Sequence, residues 1–270
     1  MPATDLPPNP RVAVMGDSSA SGLGVHGRES YGSLVAADLG ASSTLRVAKS
    51  RRLIDETKDI VPRVVQFQPD LVLFGTGMAE GMVQPSRLID GALARYGPPS
   101  WQGPEGLTPR VKVRPANRSS KFDARRKAVT AIKFSVRWTA ITCLGGYVRM
   151  PPDEYGRELE EVVETLTATG AVVVLVGTSY ADPLLFPRTN RSMQPYRLHH
   201  ERLATEMPLV HLVSPIDFLD PRRHVLADKL HFNAEGHRLV ADAVLAQIRT
   251  AIDTFDRCPA VSEVGASDGR

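Results

Sequence analysis

Residues 12–22 read VAVMGDSSASG, in which a short apolar run passes directly into a Gly-Asp-Ser triplet and a loop of small residues. A run of this kind that ends at glycine is typical of a buried β-strand. Similar runs lie at residues 44–48, 70–75, 171–177 and 209–213. Segments with helical spacing of apolar residues separate them, at residues 31–39, 53–67, 153–169, 194–206 and 234–252. This alternation predicts an α/β protein whose parallel sheet is covered by helices on both faces.

Ser18 follows the first of these strands, at the edge of the sheet where ligands bind in parallel α/β proteins. The glycines near it allow a substrate to approach the backbone closely. Ser18 is therefore a candidate nucleophile. The alternative interpretation is that residues 16–18 only form a turn, because Gly, Asp and Ser are common in turns.

A second informative stretch, LADKLHFNAEGHRLVADAV, occupies residues 226–244. Asp228 and His231 lie three residues apart in it, and Asn233 is placed to cap the last predicted helix. At this spacing a carboxylate can hold one imidazole nitrogen while the other acts as the base that a serine hydroxyl needs. The alternative is that Asp228 caps a turn and His231 is a surface histidine.

Taken together, the two stretches resemble the SGNH hydrolase superfamily, also called GDSL-type esterases and lipases. The opening triplet occupies residues 16–18, and the closing pattern Asp-x-Leu-His-x-Asn-x-x-Gly-His occupies residues 228–237. The resemblance covers residues 11–81 and 153–252. It implies a three-layer α/β/α sandwich around a five-stranded, flavodoxin-like parallel sheet.

The resemblance also implies a mechanism. Its catalytic triad would consist of Ser18 as nucleophile, His231 as base and Asp228 as the carboxylate that orients the imidazole. Members of the family hydrolyse or transfer acyl groups, so the expected substrate is a small-molecule or carbohydrate acyl ester. We expect no cofactor and no metal ion.

Two loops differ from the pattern by which the family stabilises the oxyanion. Family members carry a glycine after the second strand and Gly-x-Asn-Asp after the third, whereas this chain reads VAKSRRLID at residues 47–55 and FGTGMAEGM at residues 74–82. Loss of one oxyanion donor costs about 10²–10³ in rate. The candidate replacements and substrate-binding residues are the N–H of Ser50 or Lys49, Arg51 or Arg52, Gly75, the Thr76 hydroxyl, the Gly77 N–H, and Glu80 as an acid near the serine.

These altered loops leave two functional hypotheses. The first is a serine esterase or O-acyltransferase, which the presence of Ser18, Asp228 and His231 favours. The second is a catalytically degenerate SGNH domain that binds an anionic ligand or an acidic partner protein without turnover.

An insertion at residues 82–150 separates the third and fourth strands and is chemically unlike the rest of the chain. Its residues 107–150 contain eleven Lys or Arg residues and one acid, Asp123, in a chain whose net charge is +3. Apolar positions between residues 128 and 141 predict a basic amphipathic helix. Such a segment can form a lid, bind an acidic carrier protein or anionic ligand, or lie on an anionic membrane. The insertion contains no recognisable nucleic-acid-binding module. We expect it to form a cap over Ser18.

The amino-acid composition excludes several classes of protein. The chain is 42% hydrophobic and has only two cysteines, Cys143 and Cys258, which excludes a disulfide-built scaffold and a four-cysteine zinc site. No apolar run approaches the roughly 18 residues of a membrane-spanning helix, and the first residues do not resemble a signal peptide. We therefore expect a cytoplasmic protein with one domain at residues 11–256, between flexible termini at residues 1–10 and 257–270.

Overall fold

The computed structural model describes residues 6–101 and 120–256, and within them all side chains except those of residues 90, 100, 120–128, 130 and 250–256. Its strands are Arg11–Gly16 (β1), Ser43–Arg46 (β2), Leu71–Gly75 (β3), Gln84–Pro85 (β4), Gly146–Tyr147 (β5), Val172–Val176 (β6) and Val210–Val213 (β7). Five of them form a parallel sheet in the order β2-β1-β3-β6-β7. The α/β class and the five-stranded parallel sheet expected from the sequence are confirmed.

Helices cover both faces of this sheet. The helices of the described residues are Tyr31–Asp38 (α1), Ile54–Lys58 (α2), Val61–Phe67 (α3), Met78–Gly81 (α4), Arg87–Tyr96 (α5), Ser120–Leu144 (α6), Pro152–Thr167 (α7), Thr189–Ser192 (α8), Gln194–Glu206 (α9) and Ala234–Asp256 (α10). Side chains of α1 and α10 pack on one face, and those of α2, α3, α7 and α9 pack on the other. The result is the three-layer α/β/α arrangement.

The central strands are buried on both sides, which explains why they are apolar throughout. In β1, Ala13 and Met15 face one helical layer while Val12 and Val14 face the other. The neighbouring strand β3 alternates in the same way. Because successive side chains of a strand point to opposite faces, a strand between two helical layers needs an apolar residue at every position.

The prediction of one continuous helix is wrong at one place. The sequence predicted a single helix over residues 53–67, whereas the structure has α2 and α3, with Asp59 and Ile60 between them. Pro62 lies in the first turn of α3. Proline cannot donate the hydrogen bond of a helix interior but is well tolerated in a first turn, so a new helix begins there.

Gly16 ends β1 at the point where the backbones of two strands approach each other most closely. Its φ is +116°, and a Cβ at this position would lie 1.8 Å from the carbonyl oxygen of Gly75, its partner in β3. That same carbonyl accepts a hydrogen bond from the N–H of Asp17 at 2.9 Å. Only glycine satisfies both the torsion angle and the space here.

Gly16→Ala is therefore expected to lower the free energy of unfolding by roughly 3–5 kcal/mol, from the sum of an unfavourable φ and a backbone overlap. The measurement is the urea midpoint. Gly27→Ala is the matched control, because a Cβ there meets nothing within 4 Å; its effect should stay within about 0.5 kcal/mol. Equal midpoints for the two variants would contradict this interpretation of Gly16.

The insertion leaves and returns beside the centre of the sheet. Strands β3 and β6, which precede and follow it, are hydrogen-bonded neighbours. Its two ends pair with each other as the short antiparallel strands β4 and β5. The N–H of Arg149, just after β5, donates to the carbonyl of Glu80 at 3.0 Å. Residues 102–119 and the side chains of residues 120–128, which carry most of the expected basic charge, lie outside the description.

The N-terminal segment that the sequence predicted to be flexible contacts the folded core where the structure describes it. Pro10 is buried, and Leu6 packs against the core on the α1 and α10 face. The N–H of Ser42 bonds to the carbonyls of Asn9 and Pro10 at 3.3 and 3.1 Å. Residues 6–10 therefore contact the core and the loop before β2, and the flexibility of residues 1–10 stays a prediction. The expected flexible segments at residues 1–5 and 257–270 lie outside the described residues.

Candidate active site

Ser18 lies in the loop after β1, at the carboxyl edge of the sheet. Local hydrogen bonds shape this loop: the carbonyl of Ser18 accepts from the N–H of Leu23 at 3.1 Å and from the hydroxyl of Ser21 at 2.9 Å. The Asp17 carboxylate accepts the N–H of Ser19 at 2.9 Å. These bonds leave the Ser18 side chain half-buried and turned toward the loop before α10.

A chain of hydrogen bonds joins the three residues that the sequence singled out. Ser18 Oγ is 2.9 Å from His231 Nε2, and His231 Nδ1 is 2.7 Å from Asp228 Oδ2. A carboxylate can only accept, so the proton of a neutral imidazole is on Nδ1, and Nε2 accepts from the serine hydroxyl. This is the arrangement in which an imidazole can take the serine proton.

Asp228 is held by the backbone that it caps. Its Oδ1 accepts the N–H groups of Leu230 at 3.0 Å and His231 at 3.1 Å. Burial by itself would raise the pKa of this carboxyl, but the bond to the His231 ring and these N–H groups together lower it below its usual value. Asp228 is therefore ionised at neutral pH, with one oxygen fixing the loop and the other fixing the imidazole.

A second carboxyl group, that of Asp17, lies near this chain of bonds, and its sequence position predicted only a turn residue. Asp17 is 3% exposed. Burial raises its pKa to about 6, against the opposing effects of the Ser19 N–H and of His231. Its position directly before Ser18 was visible in the sequence, but its burial depends on the tertiary packing.

His237 belongs to the closing pattern of the sequence and is also buried. Its Nδ1 accepts the N–H of Tyr31, at the start of α1, at 3.3 Å, and its ring stacks on that of Tyr31. Burial lowers the pKa of His237 to about 4, so the ring is neutral at physiological pH. This histidine ties α10 to α1 rather than facing solvent.

Two N–H groups that the sequence left open as oxyanion donors already make hydrogen bonds within the protein. The N–H of Lys49 donates to the Gly16 carbonyl at 2.9 Å, and the N–H of Gly77 donates to Glu80 at 3.1 Å. Both groups, which the sequence left open as donors, are therefore committed elsewhere. In contrast, the N–H groups of Ser18 and Ser50 make no hydrogen bond to any described residue.

The remaining predicted residues of these loops have varied environments. The carbonyl of Gly75 accepts the hydrogen bond from the N–H of Asp17, as described above for Gly16. Thr76 is buried, with its hydroxyl beside the buried phenol of Tyr155. Arg51 adopts φ of +64°, and the guanidinium of Arg52 donates to the carbonyl of Val47. The structure thus brings Arg51 and Ser50 into one tight turn after β2.

Glu80, which the sequence predicted as an acid near the serine, is buried and bound to backbone N–H groups in the structure. Its side chain is fully buried, with no exposed surface. One oxygen accepts the N–H of Ile54 at 2.7 Å and the other accepts the N–H of Gly77. A carboxylate whose two oxygens both bind backbone N–H groups is closed off from a substrate.

The inserted helix α6 packs close to these residues. A cluster of apolar side chains joins it to the carboxyl edge of the sheet; its buried members are Met78, Met82, Ala181, Phe186, Met193 and Leu230, and Phe134 of α6 packs against them. Arg137 of α6 is fully buried, with its guanidinium 5.7 Å from the ring centre of Phe186 and hydrogen-bonded to Gln84 at 3.3 Å. Leu230 directly precedes His231, so the insertion adjoins the candidate site.

Two kinds of feature are absent from the part of the chain that the structure describes. No helix within residues 6–101 and 120–256 combines the length and apolar character needed to cross a membrane. Across those same ranges, no group of three or more His, Cys, Asp or Glu side chains is arranged to hold a metal ion.

Comparison with known proteins places these features in context. The family model of the GDSL-like lipase/acylhydrolase family matches residues 14–239. No curated protein matches the chain. Solved structures with a similar fold include TesA, at 15% identity and a TM-score of 0.55 over 89% of this chain and 99% of that chain. Esterase EstA from Pseudoalteromonas sp. has 13% identity and a TM-score of 0.54, covering 90% and 98%.

A third similar structure is a catalytic mutant of Axe2, an acetylxylan esterase from Geobacillus stearothermophilus. It has 15% identity and a TM-score of 0.54, covering 88% of this chain and 94% of that chain. At such low identities these structures establish a shared fold and nothing finer. The coverage extends over nearly all of each neighbour, so the likeness concerns whole domains.

Proposed function

The chain belongs to the GDSL-like lipase/acylhydrolase family, and from that premise we propose that it is a serine-dependent ester hydrolase with Ser18 as its nucleophile. The observation that carries this proposal is the continuous chain of hydrogen bonds from Ser18 Oγ through His231 to Asp228. A degenerate binding domain has no need to keep these three groups at 2.9 and 2.7 Å.

In the proposed reaction, Ser18 Oγ attacks the carbonyl carbon of the ester while His231 Nε2 takes its proton. The ionised Asp228 stabilises the imidazolium that forms. His231 then gives the proton to the departing alkoxide oxygen, the carbon–oxygen bond to the alcohol breaks, and an acyl group remains on Ser18. Water then repeats the sequence. His231 takes a proton from the water, and the hydroxide adds to the acyl carbon. The bond from that carbon to Ser18 Oγ breaks, the carboxylic acid leaves, and His231 returns the proton to Oγ.

The negative oxygen of each tetrahedral intermediate needs hydrogen-bond donors. The N–H groups of Ser18 and Ser50 support this role, since neither is engaged with another described residue and each lies in a loop at the carboxyl edge of the sheet. The asparagine that the family places after its third strand has no counterpart at residues 75–77. A missing donor costs about 10²–10³ in rate, so turnover is expected to be modest.

The reaction is tested with chromogenic p-nitrophenyl esters of graded acyl length, from acetate to laurate. We expect hydrolysis of at least one member of the series, and covalent labelling by a fluorophosphonate, which requires an activated serine but not the natural substrate. Repeating the assay with added alcohols separates acyl transfer from hydrolysis, because a transferred acyl group appears as a new ester. A wild-type protein that neither hydrolyses any ester nor reacts with the probe contradicts the proposal.

We further propose that the insertion at residues 82–150 caps the Ser18 site within a single domain at residues 11–256. Two described features support this. The insertion starts from the carboxyl end of β3, beside Ser18, and α6 packs against the residue that precedes His231. The basic sequence of the insertion favours substrates or partners that carry negative charge.

Replacing Arg125, Arg126 and Lys127 together by glutamine is expected to lower kcat/KM for an anionic ester, p-nitrophenyl succinate monoester, by about 10-fold at low salt. Hydrolysis of neutral p-nitrophenyl acetate should change by less than about twofold. The difference between the losses for the two esters should decrease as salt is added, since screening lengths shorten to about 3 Å at 1 M. The control is a double variant that combines Arg63→Gln and Arg157→Gln, at exposed positions of α3 and α7. Equal losses for both esters would show that the charges serve only packing.

A further inference from the structure

The loop that contains Ser50 is fixed at both of its ends. At its start, the N–H groups of Val47 and Lys49 donate to the carbonyls of Val14 and Gly16 in β1, each at 2.9 Å. At its end, the N–H of Ile54 donates to Glu80 at 2.7 Å. The residues between these anchors are 50–53, so the position of the Ser50 N–H depends on both.

The anchor at Ile54 comes from a distant part of the chain. Ile54 is the first residue of α2, and the N-cap residue before it, Leu53, has no side-chain oxygen to bind the free N–H groups of the helix start. Glu80, in α4, supplies the missing acceptor. Its other oxygen accepts the N–H of Gly77, so one carboxylate joins the loop after β2 to the loop after β3.

The geometry requires a carboxyl group at residue 80. Both oxygens of Glu80 receive backbone N–H groups, and both oxygens of a carboxyl group can accept, whereas the NH₂ of an amide cannot. Burial raises the pKa of Glu80 to about 8, as does Asp17, while the N–H groups of Ile54 and Gly77 oppose that rise. The phenols of Tyr155 and Tyr196 also interact electrostatically with Glu80.

We propose that Glu80 is a positioning residue for the proposed ester hydrolysis: by bridging Ile54 and Gly77, it holds the Ser50 N–H where the oxyanion forms. This inference rests on the proposed function. The asparagine donor usual in the family is absent from the loop after β3, so the site depends on backbone N–H groups. The positions of these N–H groups depend on how firmly their loops are held. Glu80 acts on the reaction through Ser50, without contact with the substrate.

The test is Glu80→Gln, which keeps the size of the side chain but directs an amide NH₂ at one of the two backbone N–H groups. We expect kcat for the best p-nitrophenyl ester to fall by at least about 10-fold, toward the loss of a whole donor, while KM changes by less than about threefold. An effect on kcat alone marks an interaction used in the transition state. Glu56→Gln, at an exposed position of α2, is the same substitution without a bridging carboxyl group and should retain wild-type kcat.

A second measurement follows the loop itself. Hydrogen–deuterium exchange of the peptide covering residues 49–58 should be faster in Glu80→Gln than in wild type and unchanged in Glu56→Gln. If Glu80→Gln does not fold, Glu80→Asp replaces it, since the carboxylate is then one methylene too short to reach both N–H groups and the same loss of kcat is expected.

Three results overturn the inference. They are wild-type kcat in a folded Glu80 variant, a parallel change of kcat and KM, and loss of kcat with unchanged exchange over residues 49–58. In each of these cases the wild-type enzyme still hydrolyses esters, so the proposed function stands. A wild-type protein inactive toward esters and toward the fluorophosphonate overturns both proposals.

Discussion

Ser18→Ala is expected to lower kcat for a p-nitrophenyl ester by about 10⁶-fold, the loss typical when the nucleophile of a serine triad is removed. The reason is that no other group can form the acyl intermediate: the only hydroxyl bonded to His231 Nε2 among the described side chains is that of Ser18. The residual rate should be that of the solvent reaction assisted by the remaining N–H donors. The measurement is steady-state hydrolysis, with circular dichroism to establish that the variant is folded.

Ser19→Ala is the matched control for this variant. Ser19 is the next residue in the same loop, and it contributes its backbone N–H to Asp17, which the substitution preserves. Its kcat should stay within about twofold of wild type. If Ser18→Ala keeps substantial activity, or if Ser19→Ala loses it, the nucleophile has been assigned to the wrong residue.

Asp228→Asn is expected to lower kcat by about 10⁴-fold, a smaller loss than that of Ser18→Ala. The amide oxygen can still accept the N–H groups of Leu230 and His231, which now bind Oδ1. The amide NH₂ then faces His231 Nδ1 and stabilises the tautomer with its proton on Nε2. That nitrogen can no longer accept the proton of Ser18, so the base is lost while the loop keeps its shape.

The comparison that checks this reasoning uses His231→Ala and Asp220→Asn. His231→Ala should be as inactive as Ser18→Ala, because both remove the proton transfer itself. Asp220 is an exposed aspartate nearby that accepts the N–H of Arg222 at 2.7 Å, and its conversion to asparagine should leave kcat unchanged. Wild-type activity in Asp228→Asn would contradict an orienting role for this carboxylate.

Most of the fold could be predicted from the sequence because its strands lie between two helical layers. Each strand is short and, in the centre of the sheet, apolar at every position, so its limits were predicted to within two residues. The family resemblance is confirmed by the match over residues 14–239. The break between α2 and α3 escaped the helical pattern, since the apolar spacing continues across it and only Pro62 marks the new start.

The residues of the candidate site could be predicted because each lies next to a strand end or a helix start. Ser18 and His231 are separated by 213 positions, but the rule that parallel strands end at one edge brings their loops together. Which N–H groups of the oxyanion loops are occupied could not be predicted. Glu80 shows why: its partners, Ile54 and Gly77, are set by tertiary packing, and its sequence neighbourhood is equally typical of an exposed helix turn.

The central claim is that Ser18 is the residue that carries the acyl group. The most direct measurement is peptide mapping by mass spectrometry after reaction with a fluorophosphonate, which leaves its phosphonyl group on an activated serine. We expect one adduct, on Ser18, in the wild type and in Ser19→Ala, and none in His231→Ala. An adduct on Ser19, Ser21 or any residue outside this loop, or an adduct formed equally well without His231, would contradict the account.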